Sequence, residues 1–374
     1  NVSVKEVLYD QADGTLQLYN HLANIPRIEY DAAGAVKGLL IEEARTNLLP
    51  LSNNFSSNQY FKSNISLTAS SVTSPDGSNN GWKITPTATN AYIRRGGRIT
   101  GDLTHTMYVK KDTADYVVLG HGAGSKGFLI NFSFASGTVV DTYAYGSNTT
   151  YINSSVENVD NGWYRISITG NSDASNSLVI FPWDSATGPT NLDSSSNTSL
   201  STLYIYGAQT EAGAFPTSYI PTTGATATRA ADVASIPVDN FGYNDDAGTV
   251  VVDYDTPNIQ VSDRLLSLST EFTNRVFDIS LPGTNLINYS DASGQINLGS
   301  LTSTGKVAVA FKSAKEFVGG KDGAVITVDP TTTAVTRPET LYIGTWATTS
   351  DRFPNGHIKS IKYYPRRLSN TQLQ

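Results

Sequence analysis

Four histidines, His21, His105, His121 and His357, are scattered over a 374-residue chain. No HExxH or paired-His spacing occurs, so a zinc site is not expected. Cysteine is absent, which excludes disulfides, thiolate metal sites and a Cys nucleophile. There is no GxSxG elbow. The Gly-rich LGHGAGSKG at 119–127 lies between two strand-like runs, whereas a phosphate cradle needs a helix N-terminus; it reads as a hairpin loop. VGGKDG lacks the Ser or Thr that a P-loop carries after its Lys, and reads as a turn. Two carboxylates facing one another could cleave glycosidic bonds. The acids are dispersed, however, and Asp112, Asp115, Asp245 and Asp246 fall in turn contexts, where Asp bonds its own backbone. Such acids could also ligate calcium, but there is no EF-hand loop and no position for an ion can be assigned. No catalytic residue is named. The chain reads as a non-enzyme, with a polysaccharide depolymerase as the enzymatic alternative.

Sugar binding needs exposed aromatic rings beside polar groups. Trp183, in FPWDS, follows a proline and adjoins Asp184 and Ser185, and is the leading candidate. DTYAY places Asp141, Tyr143 and Tyr145 on one strand face. LYIYG places Tyr204 and Tyr206 opposite Leu203 and Ile205. These tyrosines either line a binding surface or pack in a core or subunit interface, which also favours Tyr. Trp346, in a loop of IGTWATTSDRF, ranks second. Trp82 and Trp163 start strands among apolar neighbours and read as core.

The elements that would position these side chains are strands. Only 16% of residues are charged, against the usual ~25%, and strand and turn formers fill the difference. FLINFSF alternates Phe128, Ile130, Phe132 and Phe134 on one face with Leu129, Asn131 and Ser133 on the other. Val250, Val252 and Tyr254 alternate likewise, as do Phe277, Ile279 and Leu281, and Val307, Val309 and Phe311. This is the pattern of half-buried antiparallel strands. No amphipathic helix of three turns is evident. The expected fold is all-β: an extended lead-in over 1–50, a first β-sandwich of jelly-roll type over 51–222, and a second over 223–374. RIEYDAAGAVKGLLIEE can form a hairpin around Asp31. The Pro/Gly/Thr/Ala-rich stretch 211–236 reads as an extended connector, pinned by Phe215, Tyr219 and Ile220. The net charge of −7 argues against nucleic acid, and no apolar run is long enough to span a membrane as a helix.

GLLIEEARTNLL (38–49), NGWYRISITG (161–170) and LYIYGAQTEAGAFPTSYIPTTGATATRAADV (203–233) occur in an order that resembles a family of phage virion proteins: tail fibre, tail spike or head-fibre components with a carbohydrate-binding-module-like jelly roll. The region from about 245 on, with GTVVVDYD, LYIGTW and NGHIKSIKYYPRRLSNTQL, resembles a concanavalin A-like or laminin G-like sandwich. The resemblance implies a virion, extracellular, receptor-binding role. It implies a homo-oligomer, with a trimer among the expected states, and no particular ligand; bacterial surface polysaccharide and other virion subunits are the partners expected here, with no cofactor beyond a structural calcium ion of unassigned site. A subunit that is purely architectural is the alternative.

The resemblance also suggests why GLLIEEARTNLLP concentrates charge within an apolar run. The incoming strand, with Arg45 paired to Glu42 or Glu43, and the outgoing one, with Arg229 paired to Asp232, would lie close together, these ion pairs forming a hydrogen-bonded seam that sets register. SNTQLQ at the end opens with a capping box, Ser369 with Gln372. With Asn1 at the start, this leads us to expect a piece trimmed from a longer polypeptide.

Overall fold

The computed structural model describes residues 5–9, 16–20, 25–31, 33–96, 101–123, 125–159, 161–173, 178–192, 197–258, 263–270, 275–281, 286–289, 294–297, 302–312, 316–328, 337–345 and 353–373. Almost all regular structure is antiparallel β. Short 3-10 turns at Val238–Phe241 and Asn370–Gln372 are exceptions. The second of these carries the expected capping box, with Ser369 Oγ accepting from the Gln372 N–H and the Gln372 side chain accepting from the Ser369 N–H. Among the described residues no helix is long and apolar enough to cross a membrane.

The chain forms two compact units. In the first, one sheet runs in the order Thr149–Asn158, Trp163–Ser172, Gly101–Lys111, Leu203–Ala212, Gly81–Pro86, Ile65–Val72. The other runs Thr138–Tyr145, Lys126–Ser133, Tyr116–Ala123, Leu178–Trp183, Tyr92–Arg95, Tyr60–Ser63. Successive strands switch repeatedly between the sheets, in the manner of a jelly roll. Phe128, Ile130, Phe132 and Phe134 meet Leu103, Met107, Ile166 and Ile205 in the interior, as their alternation demands. The strand Lys126–Ser133 is nevertheless buried on both faces, where half-burial was expected. A segment that crosses its outer face is the reason.

The second unit comprises Asn24–Glu29, Val36–Ala44 and Ala230–Gln374. Here the strand pairing departs from the expected division at residues 50 and 222. Val36–Ile41 hydrogen-bonds to Gly356–Tyr364, with Leu39 opposite Ile358, so part of the presumed lead-in is a sheet strand of this unit. It enters as the predicted hairpin. The Asp31 carboxylate accepts the N–H groups of Ala33 and Ala35, and Gly34 takes the positive φ that the turn requires. The interior holds Val250, Val252, Tyr254, Phe277, Ile279, Val307, Val309 and Phe311, all on the predicted faces for which burial is described.

Candidate functional site

In the first unit each sheet has an outer face, and both carry aromatic clusters. The outer face of the first sheet is closed by the connector. Tyr108, Tyr206 and Tyr219 form a triangle with ring centroids 5.8 Å apart on each side, and Trp163 packs beside them. The Tyr206 hydroxyl donates to Asp76 at 2.8 Å and Tyr219 shares a hydrogen bond with Ser52 at 2.7 Å. Burial first, then neighbouring phenols and Asp76, push the Tyr206 hydroxyl far above its ordinary range. At 2% exposure, with both neighbours against its ring, Tyr206 offers no face to a sugar, contrary to its candidacy. Tyr204 is half-buried under Lys83, whose Nζ lies 5.6 Å from the ring centroid.

Buried polar side chains hold that connector down. Asn47 donates to the carbonyls of Ile220 (2.8 Å) and Ala208 (3.3 Å) and accepts from the N–H groups of Leu49 and Thr210. Gln209 accepts from the Ile220 N–H at 2.6 Å and donates to the carbonyls of Thr217 and Ser218. Glu211 accepts from the backbone N–H and hydroxyl of Thr217. An extended segment has no ladder of its own, and these groups supply the partners its buried backbone needs. Phe215, Tyr219 and Ile220 are buried, as expected. The Arg45 guanidinium caps the Phe215 ring at 4.4 Å and donates to the Ala212 carbonyl. A Cβ on Gly213 would lie 1.6 Å from Arg45 Nη1, so only glycine fits there.

The incoming and outgoing strands do run together, with Arg45–Asn47 paired antiparallel to Ala227–Arg229 and Arg45 opposite a buried Arg229. Within the second unit, Glu42 and Asp232 both receive Arg27, a residue without any local sequence signal. Burial alone would lower the Arg27 pKa, but the two carboxylates outweigh it and raise it. Glu43 exchanges two hydrogen bonds with Asn355, at 2.9 and 3.2 Å. Nearby, buried Glu29 accepts from His357 at 2.7 Å and from Lys37 at 3.2 Å.

The outer face of the second sheet is the candidate site. Its floor is Val118, Leu129, Val179 and Phe181. Residues 184–192 lie across it as a strap. Asn131 donates to the carbonyls of Ser185 and Ala186 at 2.8 and 3.0 Å. Asp141 accepts the Gly188 N–H and Tyr145 the Leu192 N–H. Trp183 Nε1 donates to the Thr187 carbonyl at 2.9 Å. Leu192 then packs over Gly120, where a Cβ would come within 2.9 Å of it. Asp141 and Tyr145 thus share one face, as the alternation implied, Trp183 joins them there, and the polar atoms of all three bind the strap. Tyr143, 42% exposed, stacks on Tyr145 at 6.4 Å and 19°. Across the sheet lies a group not singled out in the sequence, exposed Phe61 with half-buried Tyr92 and Arg94. Its signal was the alternation in YFKS and YIRR, which puts Phe61, Tyr92 and Arg94 outward. Trp346 lies outside the described residues.

The interior holds one further constellation. His105 from the first sheet and His121 from the second, both fully buried, meet with Nε2···Nδ1 at 2.9 Å, and His105 Nδ1 bonds Thr210 at 2.8 Å. Desolvation leads both imidazoles downward, His121 to about 4 and His105 well below its ordinary value, with the neighbouring ring adding to the shift of His105. Among the described residues no group of three or more His, Asp or Glu could hold a metal ion. The pair is therefore read as a neutral hydrogen-bonded bridge between the sheets.

Set beside solved structures, the chain is similar to the mouse laminin alpha1 chain, domains LG4-5, at 9% identity and a TM-score of 0.28, over 94% of this chain and 95% of that one. A likeness at that score carries no argument. No family model matches the chain and no curated protein matches it. What is established is the architecture, an all-β chain of antiparallel sandwiches.

Proposed function

We propose that this protein is a non-enzymatic adhesion component of a phage particle, a tail or head fibre or spike subunit working outside the cell, that recognises glycans of the bacterial surface. The virion part of the reading rests on the three ordered motifs GLLIEEARTNLL, NGWYRISITG and LYIYGAQTEAGAFPTSYIPTTGATATRAADV. The observation that supports glycan recognition is the partly open outer face of the second sheet. Tyr143 and Phe61 are exposed there beside half-buried Trp183 and Tyr92, whereas the first sheet's aromatics are covered. Exposed rings on a rigid sheet give stacking surfaces of fixed orientation. Individual contacts would be weak, and several copies on one particle would supply avidity.

A purely architectural subunit is the second reading. It is favoured by two of the edge strands, Thr138–Tyr145 and Thr149–Asn158, which expose Val140 and Ile152, since open edges invite pairing with another chain. The test is binding of the labelled full chain to host cells with and without their surface polysaccharide. Binding that disappears with the polysaccharide, with no rise in reducing ends, is the expected result. Equal binding to both cells, or none to either by the native oligomer, would favour the architectural reading. A time-dependent rise in reducing ends would favour a depolymerase.

A further inference from the structure

The other edge strand of the second sheet, Tyr60–Ser63, pairs with Tyr92–Arg95 so that Phe61 lies opposite Arg94 and Ser63 opposite Tyr92. Tyr60 and Ile93 fill the interior, and alternation sends Phe61, Tyr92 and Arg94 outward. Phe61 is 52% exposed, and its ring lies 5.8 Å from that of Tyr92 at 33°. The guanidinium carbon of Arg94 is 5.2 Å from the Phe61 centroid and 5.9 Å from that of Tyr92. On its other side Arg94 is opposite Val179, which belongs to the apolar floor. Its stem is rooted and its head is held against two rings.

Several other placed cations, unlike Arg94, have a carboxylate partner. Arg27 has Glu42 and Asp232, Lys83 has Asp112, Lys126 has Asp173, and Arg337 has Asp239. Among the described residues no carboxylate or other hydrogen-bond acceptor engages Arg94; its contacts are the two rings. The surrounding sequence sharpens the contrast. Residues 54–101 contain Lys62, Lys83, Arg94, Arg95 and Arg98 and one acid, Asp76; with Lys83 matched by Asp112, four minus one gives +3, in a chain of net charge −7. Asp76 itself accepts from Tyr206 of the first sheet.

The geometry points to a subsite for a carboxylate-bearing saccharide, a hexuronate unit of an acidic polysaccharide, formed by Phe61, Tyr92 and Arg94. This rests on the glycan-binding reading and narrows it. The planar guanidinium offers parallel N–H donors that match a carboxylate two-on-two, and the rings already fix its position. The open face of Phe61 takes the C–H face of the pyranose. A neutral sugar would leave the cation without a counter-charge.

The experiment titrates the full chain with tetramers of galacturonate, glucuronate and mannuronate, and with neutral maltotetraose, by saturation-transfer NMR and calorimetry. Variants are Arg94→Gln, Arg94→Lys and Phe61→Ala, with thermal unfolding as the fold control, since these side chains stand on the open face. At least one acidic tetramer is expected to bind. Its affinity should fall at least about tenfold in Arg94→Gln, recover only in part in Arg94→Lys, which lacks the fork, and fall in Phe61→Ala. Acidic-sugar binding that ignores Arg94→Gln or Phe61→Ala overturns the subsite. Binding of the neutral tetramer alone, or of host polysaccharide but no acidic tetramer, overturns the subsite and leaves the broader reading standing. No binding to any sugar or to host polysaccharide overturns both. A sedimentation coefficient that changes in Arg94→Gln identifies a second copy as the occupant and overturns it.

Discussion

The two outer faces of the first unit start from similar material and end differently. Each presents tyrosines and a tryptophan on a six-stranded sheet. One is sealed by a connector whose backbone is taken up by Asn47, Gln209 and Glu211. The other is crossed by a strap anchored at Asn131, Asp141, Tyr145 and Trp183, which leaves Tyr143 and Phe61 in solvent. The aromatic residues alone do not distinguish a covered face from an open one. What distinguishes them is how completely a covering segment can satisfy its own backbone on that face.

The sealed face should break most severely. Asn47→Leu leaves two carbonyls and two N–H groups in a buried seam without their side-chain partner, for an expected loss of about 4 kcal/mol. Urea unfolding followed by tryptophan fluorescence measures it, since Trp82, Trp163 and Trp183 all lie in this unit. A loss under about 1 kcal/mol would mean that other groups seal the face.

Acid acts on the interior that both faces share. An unfolded histidine titrates near 6.5, whereas burial holds His121 near 4 and His105 well down. The unfolded chain therefore binds more protons in this window, and stability is lost as pH falls from about 6.5 towards 4. His121 alone contributes about 3 kcal/mol over that span. His121→Phe should flatten the dependence measured by urea unfolding at a series of pH values; an unchanged slope would refute the assignment.

On the open face the effects shrink. Asp141→Ala removes the acceptor for the Gly188 N–H and should cost about 1 kcal/mol, with faster amide exchange confined to residues 184–192. Exchange that quickens in 211–222 as well would erase the distinction between the two covers. Tyr143→Ala should shift stability by no more than about 0.5 kcal/mol while weakening cell binding. A large loss of stability would place Tyr143 with the sealed residues.

Much of the sandwich architecture was legible because alternation is local. Phe128, Ile130 and Phe132, or Val307, Val309 and Phe311, declare their interior face within a few residues. Asp31 and Gly34 declare their turn in the same way, and Ser369 with Gln372 its cap. The candidate face was half legible. DTYAY declared one face for Asp141, Tyr143 and Tyr145, and Trp183 stood apart from it as a separate candidate; the strap that joins them has no periodicity, and apart from the Trp183–Thr187 bond its bonds run from backbone to side chains 47 to 55 positions away. Arg27 with Asp232, 205 residues apart, and His105 with His121, which meet only across two sheets, leave no trace in any sequence window. The lead-in was misplaced for the same reason, its partner strand being at the far end of the chain.

That far pairing sets the order in which the molecule can be made. Leu39 and Ile358 are 319 positions apart, the difference of their numbers, and closing so long a loop from a free chain costs about 5 kcal/mol of entropy beyond a constant. The first unit is encoded within this gap, and its own strands put Arg45 next to Arg229. Once it has folded, most of the intervening chain is already shortened to a single strand pair. During synthesis the hairpin around Asp31 emerges early and must wait for residues 356–364. A jelly-roll unit that closes first would leave mainly the chain from Arg229 to Ile358 to be looped before that strand can pair.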